Sequence, residues 1–120
     1  MSVTITGSCV LKNPDDIKAA IQHVFGKDAA IRETAGMIRY GRSYQHVTFT
    51  KKGEEWTCSW DEDMAREIRQ RTGISSSVDK IFAQRATVEG LKTQAEANKW
   101  KYKEVQEGEE LRLELERSTW

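Results

Sequence analysis

The chain has 120 residues and carries 19 basic and 19 acidic side chains, so its formal net charge is zero. This balance argues against a DNA or RNA polymer as partner, because polymer binding usually shows as a basic excess over the whole domain. The length predicts a single domain spanning residues 1–120, with enough buried surface for one hydrophobic core.

The cysteines and the N-terminal residues bear on location. Cys9 and Cys58 each stand alone in a strand-like segment, which is typical of reduced, buried thiols. The first residues have neither the basic region nor the apolar region of a signal peptide. No apolar run approaches the ~20 residues that a membrane-spanning helix needs. We therefore expect a cytoplasmic protein without a membrane partner.

The first third of the chain predicts a strand and a helix. Residues 3–11 alternate apolar and polar side chains and contain few charges, which favours an interior strand. The segment Asn13-Pro14-Asp15-Asp16 is typical of a helix start. An apolar stripe with helical spacing then runs to Gly26: Ile17, Ala20, Ile21, Val24 and Phe25. Residues 30–33 predict a short edge strand.

The segment from Met37 to Trp60 holds most of the aromatic side chains. It predicts two adjacent strands joined by a Lys-Lys-Gly-Glu turn at residues 51–54. We expect one face of this hairpin to carry the following side chains: Tyr40, Arg42, Tyr44 and His46 on one strand and Trp56, Cys58 and Trp60 on its partner. A bulge at Gly41 would shift the alternation and let Arg39 and Arg42 share a face.

The second half predicts two helices and a closing hairpin. Acidic residues 61–63 begin a short helix through Arg71, and a longer helix covers about Ser77 to Asn98. Gly90 inside the long helix indicates close packing against a neighbour. Two strands follow, at residues 99–105 and 110–117. The fold class is therefore α+β: an antiparallel sheet of four to six strands with two or three helices packed on one face.

Catalytic and metal-binding patterns are weak. The sequence has no CxxC, HxxxH or HxH spacing, so no metal site is predicted. Cys58 and His46 are the best available nucleophile and base, but a buried thiol should have a raised pKa and be inert. The acidic residues 61–63 are better explained as helix-start charges than as a magnesium site. We expect no catalytic residues, no cofactor and no enzymatic activity.

Local charge singles out one candidate ligand site. Between Ile31 and Lys52 there are five basic residues against one acid, whereas the lysines of residues 99–103 are followed at once by glutamates. Arginine donates bidentate hydrogen bonds to phosphate, and aromatic rings stack on bases. The predicted ligand-binding residues are Arg39, Tyr40, Arg42, Tyr44, His46, Trp56 and Trp60. The alternative is that the aromatic side chains are core residues with the arginines outside.

The last third of the chain carries a resemblance. It rests on Gln84-Arg85-Ala86, Val88 and Leu91 in a helix, Trp100 after it, the Glu107-Gly108 turn and a Leu-Arg-Leu strand. From Ile81 to Trp120, about a third of the chain, the sequence resembles a conserved-hypothetical family (a domain of unknown function) of plastid and cyanobacterial genomes with phage members. The resemblance implies an α+β fold and no defined chemistry.

A second, looser resemblance rests on the size and charge balance of the chain and not on a sequence motif. Compact, charge-neutral phage proteins of this length include sponges that sequester the nucleotide signals of bacterial immune systems. We therefore expect a non-enzymatic protein that sequesters a nucleotide-type signal in an anti-defence role, in the host cytoplasm if it is phage-encoded. The alternative is a protein-interaction or accessory module of the hypothetical family, such as a homodimer formed through the exposed hairpin.

Overall fold

The computed structural model describes residues 4–116 of the chain, with side chains described for residues 11–116. The elements in chain order are β1 (Thr4–Leu11), α1 (Pro14–Phe25), β2 (Ile31–Thr34), β3 (Met37–Arg42), β4 (Gln45–Lys52), β5 (Glu55–Asp61), α2 (Glu62–Thr72), α3 (Val78–Ala97), β6 (Lys101–Glu107) and β7 (Glu110–Glu116).

Five strands form one antiparallel sheet in the order β1-β5-β4-β3-β2, and β6 and β7 form a separate hairpin. The predicted α+β class is confirmed. The interior position predicted for the first strand is wrong, because β1 lies at the edge of the sheet next to β5. The reason is that β6 and β7 pair with each other instead of extending the sheet beside β1.

The segment from Met37 to Trp60 contains three strands rather than the two predicted. A turn at residues 43–44 separates β3 from β4, and a second turn at residues 53–54 separates β4 from β5. Gly41 forms no bulge, because it stands opposite His46 in an uninterrupted register. Its φ of +109° is nonetheless a conformation that favours glycine, and a Cβ here would lie 2.9 Å from His46 Cα.

The three helices cover one face of the sheet. Local signals start two of them: the side chain of Asn13 accepts from Asp15 N at 2.9 Å, and that of Asp61 accepts from Met64 N at 3.1 Å. Helices and sheet enclose a core whose largest buried side chains include Ile17, Ile21, Ile38, Val47, Phe49, Trp56, Cys58, Trp60, Met64, Ile68, Ile81 and Phe82. Among the described residues, no helix is both long and apolar enough to cross a membrane.

The two cysteines predicted to be buried thiols differ in what can be said of them. Cys58 on β5 is a fully buried cysteine, as predicted. The side chain of Cys9 lies outside the described side chains, so the prediction for it stays a prediction.

Helix α3 is packed on more than one side. It contacts α1 and the sheet, and it also carries the β6–β7 hairpin. Glu104 on β6 pairs with Arg85 of α3 at 2.6 Å, which fastens the hairpin to the helix. The predicted close packing at Gly90 is confirmed, because a Cβ there would lie 2.7 Å from a carboxylate oxygen of Asp16 on α1.

Candidate functional site

The two faces of the five-stranded sheet differ in cover and in chemistry. Residues directly opposite one another on paired strands point to the same side of a sheet. The helix-covered side, here called the core face, carries Ile38, Tyr40, Val47, Phe49, Trp56, Cys58 and Trp60. The other side, here called the open face, carries Arg32, Thr34, Met37, Arg39, His46, Thr48, Thr50, Thr57 and Ser59.

Most of the predicted aromatic site residues lie on the core face. Trp56 and Trp60 are 4% and 3% exposed, and they belong to the hydrophobic core. The Tyr40 ring stacks on that of Phe25, with 4.1 Å between ring centroids. The expectation that these rings share one face with His46 is therefore wrong, because the turn between β3 and β4 places His46 on the opposite side of the sheet.

Two further predicted residues lie at the turn between β3 and β4. Tyr44 is 79% exposed. Arg42 lines a cavity of about 310 Å³ together with Tyr40 and with residues of α2. Arg39 does not join Arg42 there; its Nη2 donates to the Arg42 carbonyl oxygen at 3.4 Å, while Arg39 itself belongs to the open face. Arg39 and Arg42 therefore belong to opposite sides of the sheet.

The centre of the open face is positively charged. Arg39 stands directly opposite Arg32 on β2 and opposite Thr48 on β4. None of the ion pairs among the described side chains involves Arg32, Arg39 or Arg42. Arg39 Nε is buried, with no hydrogen-bond partner in the described part of the chain. Sequence reasoning missed Arg32 as a candidate residue, and only the pairing register between β2 and β3 places it beside Arg39.

His46 adds a neutral polar group beside the arginines. Its Nδ1 lies 3.0 Å from the hydroxyl oxygen of Thr48, and its backbone N–H donates to Asp61 Oδ1 at 3.2 Å. Partial burial lowers the pKa of His46, and the charge of Arg39 lowers it further against the opposing effect of Asp61. At neutral pH the imidazole is therefore uncharged and able to exchange hydrogen bonds with a ligand.

The arrangement offers little to covalent or metal chemistry. Cys58 belongs to the core face and His46 to the open face, so the sheet separates the best nucleophile and base of the sequence. Asp61 is 1% exposed and acts as the N-cap of α2, which agrees with its interpretation as a helix-start residue. Within residues 11–116, no group of three or more His, Cys, Asp or Glu side chains could hold a metal ion.

Comparisons with protein-family models, curated proteins and solved structures gave no match for this chain. The family resemblance of the last third of the sequence therefore stays a prediction. The residues of the open face and their geometry are the basis on which a function can be assigned.

Proposed function

We propose that this chain is a non-enzymatic binding protein for a small phosphate-bearing ligand of the nucleotide type, held on the open face. Arg39 and Arg32 contact phosphate, and His46, whose ring contacts the buried Thr48 hydroxyl, supplies a hydrogen bond beside them. Sequestration of a nucleotide signal in an anti-defence role is the biological use that this proposal favours.

The observation that carries the proposal is the arginine pair. Like charges directly opposite one another on neighbouring strands destabilise a sheet. Arg32 and Arg39 occupy such a position, and no ion pair with a described carboxylate offsets their repulsion. A phosphate between the two guanidinium groups would remove the repulsion and use donors that arginine presents in the geometry of an oxyanion.

The hydroxyl groups of the open face support the same ligand class. Thr48 stands opposite Ser59 in the row next to His46, and Thr50 stands opposite Thr57 in the row after that. Hydroxyl groups both donate and accept hydrogen bonds, as the recognition of a ribose or a phosphate ester requires. These rows supply polar partners around the charged centre.

Base stacking is restricted by the fold. Tyr40, Trp56 and Trp60 pack in or against the core, so they stabilise the sheet and do not stack on a ligand. Tyr44, at the turn next to Arg42, is the predicted aromatic residue with an exposed ring. We assign it the stacking role at the margin of the site.

Calorimetry tests the proposal with a panel of cyclic and linear ADP-ribose species and cyclic dinucleotides. At least one member should bind, and Arg39→Ala should weaken it by about tenfold or more, since a charge-assisted contact is lost. Arg66→Ala is the matched control, because Arg66 also carries a positive charge but belongs to α2, where its side chain is 71% exposed. Absence of binding across the panel, or full binding by Arg39→Ala, contradicts the proposal.

A further inference from the structure

A second cavity lies between the helix layer and the β6–β7 hairpin. Its volume is about 150 Å³. A water molecule occupies about 30 Å³ of liquid, so this space is large enough for a phosphate or a short carboxylate. It is smaller than the ~300 Å³ at which pockets for drug-sized ligands begin. Its lining includes His23, Arg71, Arg85, Glu104, Gln106 and Leu111.

The single carboxylate in this lining, Glu104, is ionised and already paired with two cations. Its oxygens accept from Arg85 Nη1 at 2.6 Å and from Arg85 Nη2 at 3.2 Å, and Lys92 Nζ lies 2.7 Å away. The hydrogen bonds from Arg85 lower the pKa of Glu104 to about 2, with Lys92 adding to the effect. The carboxylate therefore repels an incoming anion only weakly.

Arg71 supplies a cation that the surrounding residues use only in part. Its guanidinium lies over the Phe25 ring, 5.4 Å from the ring centroid, which orients the group without consuming its N–H donors. Its ion pair with Glu67 is long, at 3.9 Å. A charged donor set at the wall of a small polar cavity is suited to an oxyanion.

His23 provides a neutral donor at the same cavity. Burial lowers its pKa, and Arg85 and Lys92 lower it further against the opposing charges of Glu104 and Glu89. Its Nδ1 lies 3.6 Å from a carboxylate oxygen of Glu89. An anion bound in the cavity would stabilise the imidazolium form, so His23 reports occupancy.

From this geometry we infer that the cavity between the helices and the β6–β7 hairpin binds a small oxyanion of about phosphate size through Arg71, Arg85 and His23. The site lies on the helix side of the sheet, so it does not depend on the ligand proposed for the open face. Bound there, the anion joins the side chains of His23 and Arg71, in the last turns of α1 and α2, to the hairpin, and these side chains must outweigh the partial negative charge of the helix ends.

Side-chain NMR of His23 tests this inference, with inorganic phosphate as the probe in a phosphate-free buffer. Phosphate should shift the His23 resonances saturably and raise the His23 pKa. Arg71→Gln should weaken this binding by about tenfold or more, since it removes a charge-assisted donor. Arg66→Gln, on the same helix and outside the cavity lining, should leave the affinity unchanged, as should Arg39→Ala on the open face.

Glu104→Gln should change the phosphate affinity in the direction opposite to Arg71→Gln. Glu104 engages both terminal nitrogens of Arg85, so the substitution frees these donors for the anion and should tighten phosphate binding several-fold. Weaker binding by this variant would contradict the role given to Arg85. The inference is overturned if phosphate produces no saturable shift at His23, which would mean a water-filled cavity. It is equally overturned if Arg71→Gln binds phosphate as the unmodified chain does.

Discussion

Alternate residues of the same strands place apolar side chains on the core face of the sheet and polar or charged side chains on the open face. On β4, Phe49 is fully buried, while the adjacent Thr50 is exposed. On β3, Tyr40 stacks against a helix and Arg39 stands opposite another arginine across the sheet. The aromatic side chains of the core face therefore stabilise the fold, and the arginines and hydroxyl groups of the open face are those that the proposal assigns to ligand binding.

The largest difference between the faces should appear in stability. Phe49→Ala should lower the free energy of unfolding by about 3–5 kcal/mol, because it leaves a cavity against Phe82, whose ring centroid lies 5.2 Å away. Thr50→Ala, one residue along, should change it by no more than about 0.5 kcal/mol. Urea denaturation measures both, and equal costs would contradict the division into faces.

Gly41, near the end of β3, tests how tightly the strand packs where it approaches the turn. Gly41→Ala should cost about 2 kcal/mol or more, because its Cβ would meet the Gln45 carbonyl and Met64 Cε in addition to a strained φ. Gly53→Ala is the control, since Gly53 also has a positive φ of 64° and a Cβ placed on it would have no atom within 4 Å. Its cost should be about 1 kcal/mol. Equal destabilisation by the two variants would mean that the contacts at Gly41 carry no weight.

The pKa of His46 measures the charge of the open face. Burial and Arg39 hold this pKa below its ordinary value, so the folded state binds the proton less well than the unfolded state. The His46 contribution to stability is therefore present above about pH 6.5 and is lost as the pH falls below it. Arg39→Ala should raise the His46 pKa and reduce this loss. An imidazole NMR titration in which the pKa stays constant or falls would contradict the proposed proximity.

The smallest effect concerns the repulsion between the paired arginines. Arg32→Gln should leave stability unchanged or raise it by about 0.5 kcal/mol at low salt, with the gain shrinking as salt increases. The same variant should weaken ligand binding. A loss of more than about 1 kcal/mol in stability would instead make Arg32 a structural residue.

Local signals in the sequence were sufficient to predict the helices. The Asn13 cap and the apolar stripe ending at Phe25 match α1, which runs from Pro14 to Phe25. Gly90 inside α3 indicated close packing, and a carboxylate of α1 lies against it. Such features depend on neighbours within a few residues or on one unusual residue type.

The faces of the sheet could not be predicted in the same way. Alternation carried through the turn at residues 43–44 assigns His46 to the side of Tyr40. The turn instead pairs Ile38 with Phe49, so the buried positions change from even numbers on β3 to odd numbers on β4. Tyr44 is not a typical turn residue, and this hid the change of direction. Arg32 joins the proposed site only through its pairing with Arg39 on the neighbouring strand, which no local pattern specifies.

The central claim is that the ligand binds the open face, and methyl NMR tests it most directly. A panel ligand found by calorimetry is titrated into protein labelled at threonine, isoleucine and valine methyl groups. The account predicts shifts at the methyl groups of Thr48, Thr50 and Thr57, with those of Ile38 and Val47 on the core face nearly unchanged. Shifts at Ile38 and Val47 without shifts at the threonines would contradict it.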